Sequence, residues 1–345
     1  MSKRFFLSDI HMGPRRDPVS PRFVYDWLSK AEAERLANFL DHIKDNEAAD
    51  TEVVLVGDVL DNWICPYDEE PPTFKEIFDA NPEVVAGIKG LLGKGMKVTF
   101  LEGNHDMYLS QADLDAVFGS HANLKCLESY NERGIHAEHG HSFDSFNVKA
   151  QGGGANKDLP LGYFISRVVA TKQANEDVSK EPICKIVKKV ATALVDGDSL
   201  AVSVFDAIME DAGINKNAAF IMQGGDVVTV AEVRDAYKKT KLGLSVADLR
   251  PKAETLSLGD DDVKLVIFGH THGKVLDPLD LENEADPLFS PYTKVYANSG
   301  TWIEGRAPTY IEVDVDQKDS RLNYISLMEW KDGATRKVQG RFFNY

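Results

Sequence analysis

Five stretches of this 345-residue chain place acidic, imidazole or amide side chains directly behind an apolar run. Phe5-Phe6-Leu7 leads to Asp9 and His11, and Val53-Val54-Leu55-Val56 leads through Gly57 to Asp58 and Asp61. Val98-Thr99-Phe100-Leu101 leads past Gly103 to Asn104, His105 and Asp106. Ile135 and Ala137 precede His139, Gly140 and His141, while Leu265-Val266-Ile267-Phe268 precedes Gly269, His270, Thr271 and His272. A mixed shell of oxygen and imidazole donors suits divalent transition ions better than calcium. One Gly-Asp pair behind a strand serves as readily to cap the following turn. Five such ends together describe a single metal site, because ligands of open α/β sheets gather outside the carboxyl ends of the strands.

The elements that must position these residues are legible from periodicity. Strands are expected over 3–7, 53–56, 97–101, 124–127 and 134–138, with helices over 31–44, from Pro82 to Gly93, and over 111–118. Leu36, Phe39, Leu40 and Ile43 recur at helical spacing, and the short β-branched run 53–56 reads as a strand buried on both faces. Gly152-Gly153-Gly154 then marks an exit from this β-α-β-α-β pattern. Helices are expected over 163–171, 183–195, 200–212 and 230–239, with Pro182 in a first turn and Thr229 to Glu232 as a capping box. After Asp260–Asp262 a strand over 263–268 resumes the core. The runs 294–298, 309–314, 323–330 and 336–342 read as a second, largely antiparallel sheet. The expected fold class is α/β: two face-to-face mixed β-sheets flanked by helices. Residues 1–151 and 256–345 form the core and 152–255 a helical cap insertion.

The net charge of −16 argues against a general nucleic-acid binder, which neutralises phosphates with clustered Lys and Arg. The excess lies in the core, since residues 152–255 carry 14 basic and 14 acidic side chains. Lys185, Lys188, Lys189 and, separately, Lys238, Lys239 and Lys241 form basic clusters that serve either as a solvated helix face or to meet an anionic substrate or lipid head group. Cys65, Cys126 and Cys184 show no framework spacing and read as small buried hydrophobes. The apolar stretch behind Lys3 and Arg4 stops at Leu7, short of a secretory signal or a membrane span. A soluble, cytoplasmic protein is expected, with peripheral lipid contact and homo-oligomerisation left open.

The blocks Asp9-Ile10-His11, Gly57-Asp58-Val59-Leu60-Asp61, Gly103-Asn104-His105-Asp106, His139-Gly140-His141 and Gly269-His270-Thr271-His272 stand in the order found in the calcineurin-like metallophosphoesterases, which the chain resembles over residues 1–151 and 256–311. The resemblance implies a hydrolase of phosphoesters that uses two divalent ions (Mn, Fe, Zn, Co or Ni, with Mn taken first) and in-line attack by a metal-bridging hydroxide. It implies Asp9, His11, His272 and Asp58 at one ion, and Asp58, Asn104, His139 and His270 at the other, with Asp58 as the bridge. His105 would stabilise the phosphoryl charge or protonate the leaving group, with Asp106 accepting its other N–H. Asp61 and His141 would orient ligands from behind, and His42, His121 and His136 read as structural. Gly57-Asp58 followed by Asn62-Trp63, together with the long insert, is similar to the UDP-2,3-diacylglucosamine diphosphatases. That group typically has Arg in place of His105 and Asp in place of His141. The substrate expected is a small phosphorylated molecule, with a pyrophosphate of that type or a phosphoprotein as alternatives. A scaffold that had lost turnover would lack a ligand or His105, and this chain lacks neither.

Overall fold

A computed structural model describes residues 2–15, 27–147, 159–175, 200–238, 248–279, 294–316 and 321–343. In chain order the first part runs β1 (Ser2–Leu7), α1 (Lys30–Asn46), β2 (Glu52–Val56), α2 (Phe74–Ala80), α3 (Pro82–Gly93), β3 (Lys97–Leu101), α4 (Gln111–Phe118), β4 (Leu124–Leu127), β5 (Tyr130–Glu132) and β6 (Ile135–Ala137). The middle of the chain contributes α5 (Leu161–Asn175), the helices Leu200–Asp211, Val230–Tyr237 and Arg250–Gly259, and a hairpin of β7 (Ala219–Ile221) and β8 (Val227–Thr229). It closes with β9 (Leu265–Phe268), β10 (Lys274–Pro278), β11 (Val295–Ser299), β12 (Thr309–Val315), β13 (Leu322–Lys331) and β14 (Ala334–Phe342).

Two large sheets result, ordered β14-β13-β12-β1-β2-β3-β4 and β10-β11-β9-β6-β5. The period-two alternation of strand side chains explains why the apolar runs are continuous. Phe5, Leu7, Val53, Leu55, Val98 and Phe100 face Leu36, Phe39 and Leu40 of α1 and Ile88 and Leu91 of α3. The intervening Phe6, Val54, Val56 and Leu101 face the second sheet, meeting Ala137, Leu265 and Ile267. On that sheet's outer side, Val266 and Phe268 pack with Ala253 of the helix Arg250–Gly259. The layers are therefore helix, sheet, sheet, helix, as expected. Among the described residues no helix is long and apolar enough to cross a membrane.

The fate of the last four strands differs from expectation. They do not form one sheet. β11 pairs parallel with β9 in the second sheet, but β12 pairs antiparallel with β1, Phe6 opposite Ile311, so β12, β13 and β14 extend the first. The turn between β11 and β12 makes the crossing, with Thr301 Oγ1 and the Trp302 N–H both donating to Asp9 O at 2.8 and 3.1 Å. Alternating apolar residues suit either sheet equally, so only the open edge of β1 decides.

The insert is not wholly helical. Its hairpin turns at Gly224 and Gly225, both at φ 83°, between two short apolar runs. The expected capping box is present, since Thr229 accepts from the Glu232 N–H and the Glu232 side chain accepts in return. Phe164, Ile165 and Val168 of α5 pack with Val204, Phe205, Ile208, Phe220 and Val233 into a separate apolar cluster that also takes in Trp63. The Gly152–Gly154 hinge, the helix over 183–195, and Lys185, Lys188, Lys189, Lys239 and Lys241 lie outside the described residues.

A buried polar knot ties the two sheets. Glu52 on β2 pairs with Arg4 Nε of β1 at 3.1 Å and accepts from Thr99 Oγ1 of β3 at 3.0 Å. Across the sheet interface it accepts from the Tyr130 hydroxyl of β5 at 3.1 Å. Removing one partner of a buried ion pair strands the other charge, a loss of about 3–5 kcal/mol. Glu52→Ala is expected to lower the unfolding free energy by that order in denaturant titration, with Glu52→Gln milder. Wild-type stability in Glu52→Ala would show that the knot is dispensable.

Candidate metal centre

The carboxyl ends of β1, β2, β3, β6 and β9 meet on one rim of the sandwich. Backbone hydrogen bonds knit the first two: the Asp9 N–H donates to Gly57 O at 3.2 Å, and those of Ile10 and His11 to Asp58 O at 2.9 Å. Eight non-glycine residues have positive φ among the described residues, and five are candidate ligands: Asp9 (52°), His11 (53°), Asp58 (50°), His270 (65°) and His272 (56°). Each such conformation costs roughly 1–3 kcal/mol. Here it bends the chain sharply as it leaves a strand, so that side chains from separate strands converge.

The donors fall into three groups, two of them holding Asp9 and Asp58. Asp9, His11 and His272 form one and Asp58, His139 and His270 the other, while Asp61 and His105 share His11 in the third, each with ligand atoms within 4.8 Å of one another. His272 Nε2 lies 3.2 Å from Asp9 Oδ1 and His139 Nε2 lies 3.0 Å from Asp58 Oδ2. Asp58 Oδ2 is also 3.8 Å from His11 Nε2, so one carboxylate oxygen borders both the Asp9 and the Asp58 group.

Protein partners satisfy one half of each side chain and leave the other half aimed inward. Asp9 Oδ2 accepts from Ser8 Oγ at 2.5 Å and from the His270 N–H at 3.1 Å. Asp58 Oδ1 accepts from the His105 N–H at 2.8 Å. His139 Nδ1 sits 2.9 Å from Val56 O, which fixes the proton there and turns Nε2 to the centre. Asp9 Oδ1, Asn104 Oδ1 and His139 Nε2 are buried without a hydrogen bond. Orphaned buried acceptors are rare in folded proteins and need an explanation. Carboxylate oxygen beside imidazole nitrogen, Asp9 Oδ1 with His272 Nε2 and Asp58 Oδ2 with His139 Nε2, is a donor pairing that fits a divalent cation.

The electrostatics agree. Burial alone would lower the histidines, yet the Asp58 carboxylate pushes His139 up to about 10, and Asp61 with Asp58 pushes His105 up to about 9. Asp58 is held well below the usual carboxylate range because His139 and His105 outweigh its own burial. The negative field that keeps protons on these imidazoles is the field a cation would meet. By contrast, burial and then His139 bring His141 down to about 3.

The roles expected of Asp61 and Asp106 are redistributed. Asp106 does not accept the second N–H of His105. Asp61 does, with Oδ1 2.9 Å from His105 Nδ1 while Oδ2 lies 2.9 Å from His11 Nδ1. Asp106 instead accepts from the backbone N–H groups of Gly103 and Val59 at 2.8 Å and of Asp58 and Leu60 at 3.2 Å. Sequence neighbours point to different sides of a tight turn, so Asp106 faces the backbone behind the ligand loops. Burial and the nearby Asp58 carboxylate raise it to about 7, against the pull of those N–H groups.

His141 lies beside His139, ring centroids 5.6 Å apart, with its Nδ1 buried and unpartnered. His42, His121 and His136 bond locally, to Asn46, Phe118 O, and Asn131 and Glu138, away from the centre. Three residues were not singled out for the site. Asp144 Oδ2 lies 3.3 Å from His270 Nε2, Trp27 meets the His11 ring edge to face at 4.4 Å, and Trp63 stacks on His105 at 4.6 Å. Trp63 stood in a noted Asn-Trp pair, while nothing local marks Asp144 or Trp27.

A double-sheet sandwich whose central strands end in paired acid and imidazole clusters defines a metallophosphoesterase. The family model of the calcineurin-like phosphoesterases matches residues 3–274, and the chain belongs to that family of metal-dependent phosphoester hydrolases. No curated protein matches it. Among solved structures it is similar to a dimetal phosphatase from Danio rerio at 11% identity and TM-score 0.41, covering 98% of each chain. It is also similar to the calcineurin-like phosphoesterase YfkN from Bacillus subtilis at 12% identity and TM-score 0.31, covering 98% of this chain and 88% of that one. A phosphopantetheinyl hydrolase from Mycobacterium tuberculosis is matched at 12% identity and TM-score 0.26, covering 87% and 90%.

Two substitutions test how the centre is held. Gly57 has φ 74°, and a Cβ there would lie 2.6 Å from His139 Cγ. Gly57→Ala should cost about 2 kcal/mol or more and reduce bound metal. Asp106→Ala leaves four buried N–H groups without their acceptor and should cost about 3 kcal/mol or more. Denaturant titration and metal analysis check both, and wild-type values for either variant contradict its assigned role.

Proposed function

We propose that this chain hydrolyses small phosphoesters at a dinuclear centre, with Asp9, His11, His272 and Asp58 at one ion and Asp58, Asn104, His139 and His270 at the other. The observation that carries the reading is the pair of adjoining donor groups, Asp9 with His11 and His272 and Asp58 with His139 and His270, with Asp58 Oδ2 bordering both; Asn104 Oδ1 is buried without a hydrogen bond. Two divalent ions, when bound there, supply positive charge for the phosphoryl oxygens and an activated water near neutral pH. Manganese is the first metal to test, and the cytoplasm the compartment we assign.

The chain's own residues do the rest. Asp61 takes His105 Nδ1, so Nε2 is the ring nitrogen that serves the reaction. Against the effect of burial, Asp61 and Asp58 raise the basicity of this imidazole, which suits a group that stabilises phosphoryl charge or gives a proton to the departing oxygen. His270 and His272 are the more accessible members of the two groups, so substrate enters from their side. The cap, residues 152–255, selects the substrate in this reading. Support comes from its apolar cluster, which incorporates Trp63, itself stacked on His105, and borders Met107, two residues after His105.

Asp58→Asn should remove most bound metal and abolish turnover, because an amide cannot supply the anionic bridge; full metal content with full activity sinks the dinuclear reading. His105→Ala should retain metal while turnover falls by about 10²- to 10⁴-fold. That loss should be smaller on p-nitrophenyl phosphate than on phenyl phosphate if Nε2 donates a proton, and equal on both if it only stabilises charge. A panel of monoesters, diesters and nucleotide-type pyrophosphates separates the small-ester reading from a UDP-diacylglucosamine-like pyrophosphatase.

A further inference from the structure

Arg167 lies in the middle of α5 and is fully buried. Taking a guanidinium out of water costs several kcal/mol unless every donor is satisfied. Its hydrogen bonds among the described residues go to neutral acceptors. Nε donates to Cys65 O at 3.3 Å, and Nη2 to Pro66 O at 2.7 Å, to Tyr67 O at 3.3 Å and to Glu69 O. Nη1 donates to Ile221 O at 2.6 Å and to the Tyr163 hydroxyl at 3.0 Å, with Met222 Sδ at 4.0 Å. The Thr171 hydroxyl, one turn on, accepts from the Tyr67 N–H at 2.9 Å and donates to Arg167 O at 2.8 Å. An apolar side chain would join α5 to the core at lower desolvation cost, so the charge fixes geometry that packing alone would leave loose.

Four of the gathered carbonyls, those of Cys65, Pro66, Tyr67 and Glu69, belong to one continuous turn that starts at the metal centre, and the fifth, Ile221 O, belongs to β7. Asp61 Oδ1 accepts from the N–H groups of Trp63 and Ile64 at 3.0 and 3.1 Å while it pairs with His105. The Trp63 indole lies stacked on the His105 imidazole, 4.6 Å between centroids and 30° between planes. Its edge meets Tyr163 at 5.7 Å and 87°, and the Tyr163 hydroxyl accepts from Arg167. His105 is therefore held in its ring plane by Asp61 and over one face by Trp63, with the His11 ring edge-on at 4.7 Å and Trp27 tilted against it at 5.8 Å. Asp61 is anchored at the strand end and by His11. Trp63 is anchored by the turn after it and by Tyr163, and both of these end at Arg167.

We propose that Arg167 is a positioning residue for His105: by gathering the carbonyls of residues 65–69 and the Tyr163 hydroxyl, it fixes the plane of Trp63 and thereby the orientation of the reacting imidazole. The inference rests on the hydrolase reading above. It makes the cap part of the reacting centre's support as well as its cover, and it predicts that damage in α5 reaches turnover without touching a metal ligand.

The test is a double-mutant cycle. Arg167→Met, similar in length and uncharged, is combined with His105→Ala, and kcat, KM and bound metal are measured on phenyl phosphate with the metal-loaded full chain. In the wild-type background Arg167→Met should lower kcat by ~10- to 100-fold, the order expected for a misplaced reacting group, with metal content and KM little changed. In the His105→Ala background it should change kcat by no more than about twofold, since the residue it positions is gone. Arg167→Lys should recover part of the loss. Equal fold losses in both backgrounds, or loss of metal in Arg167→Met, would mean a purely structural role and overturn the proposal. If Arg167→Met does not fold, Trp63→Leu is used in its place. The same non-additivity supports the chain of contacts, and wild-type kcat in Trp63→Leu overturns it. His105→Ala alone turning over at the wild-type rate would remove His105 from the reaction and overturn the proposal, whereas no turnover by the metal-loaded wild-type chain marks failure of the hydrolase reading itself.

Discussion

Three buried carboxylates, Asp9, Asp58 and Asp106, sit together at the rim of the first sheet, and their mutual repulsion is the constraint around which the rim is built. Burial and proximity both oppose charge on such a group. The structure meets this with a division of labour. Asp106 spends both oxygens on four backbone N–H groups, and in doing so pins the turn after β2 to the turn after β3. Asp9 and Asp58 each commit one oxygen to a protein donor and direct the other to a common point. Imidazoles then surround that point. The outcome is a cluster of buried carboxylate and imidazole donors that fits a divalent cation.

Geometry of this kind carries backbone strain. Asp9, His11, Asp58, His270 and His272 all occupy the left-handed region, which residues other than glycine adopt uncommonly, Asp and His more readily than most. The strain persists because the surrounding contacts over-determine it: β1 and β2 are hydrogen-bonded past their ends, Ser8 and Ser299 lie 2.6 Å apart between the sheets, and Asn298 donates to Gly269 O at 2.7 Å. A rigid rim places reacting groups with little entropy left to lose, which is where such centres obtain much of their effect.

His105 is positioned differently. Trp63, on the loop after β2, stacks on its ring, and that loop is secured from α5. The insert and the core are thus joined through the loop that carries Trp63, beside the imidazole proposed to act on the substrate. Insertions at this point of the fold can alter the reacting group's surroundings without disturbing the ligand loops.

Much of the site was legible in the sequence because each ligand follows its apolar run within a few residues. The two-faced burial of β1, β2, β3 and β9 requires continuous hydrophobics, and the ends of such runs are local features that need no partner to be recognised. Three things were not legible. The choice of β12 between two sheets depends on which edge stands open, and alternating apolar residues are silent on that. The exchange of roles between Asp61 and Asp106 depends on turn geometry that sends adjacent side chains to opposite sides of the loop. The service of Asp144, Trp27, Trp63 and Arg167 to histidines far away in the chain exists only once the strands are assembled. Local pattern determined which residues stand at the rim. Long-range packing decided which of them face one another, because hydrogen-bond direction and ring orientation are properties of pairs and not of positions.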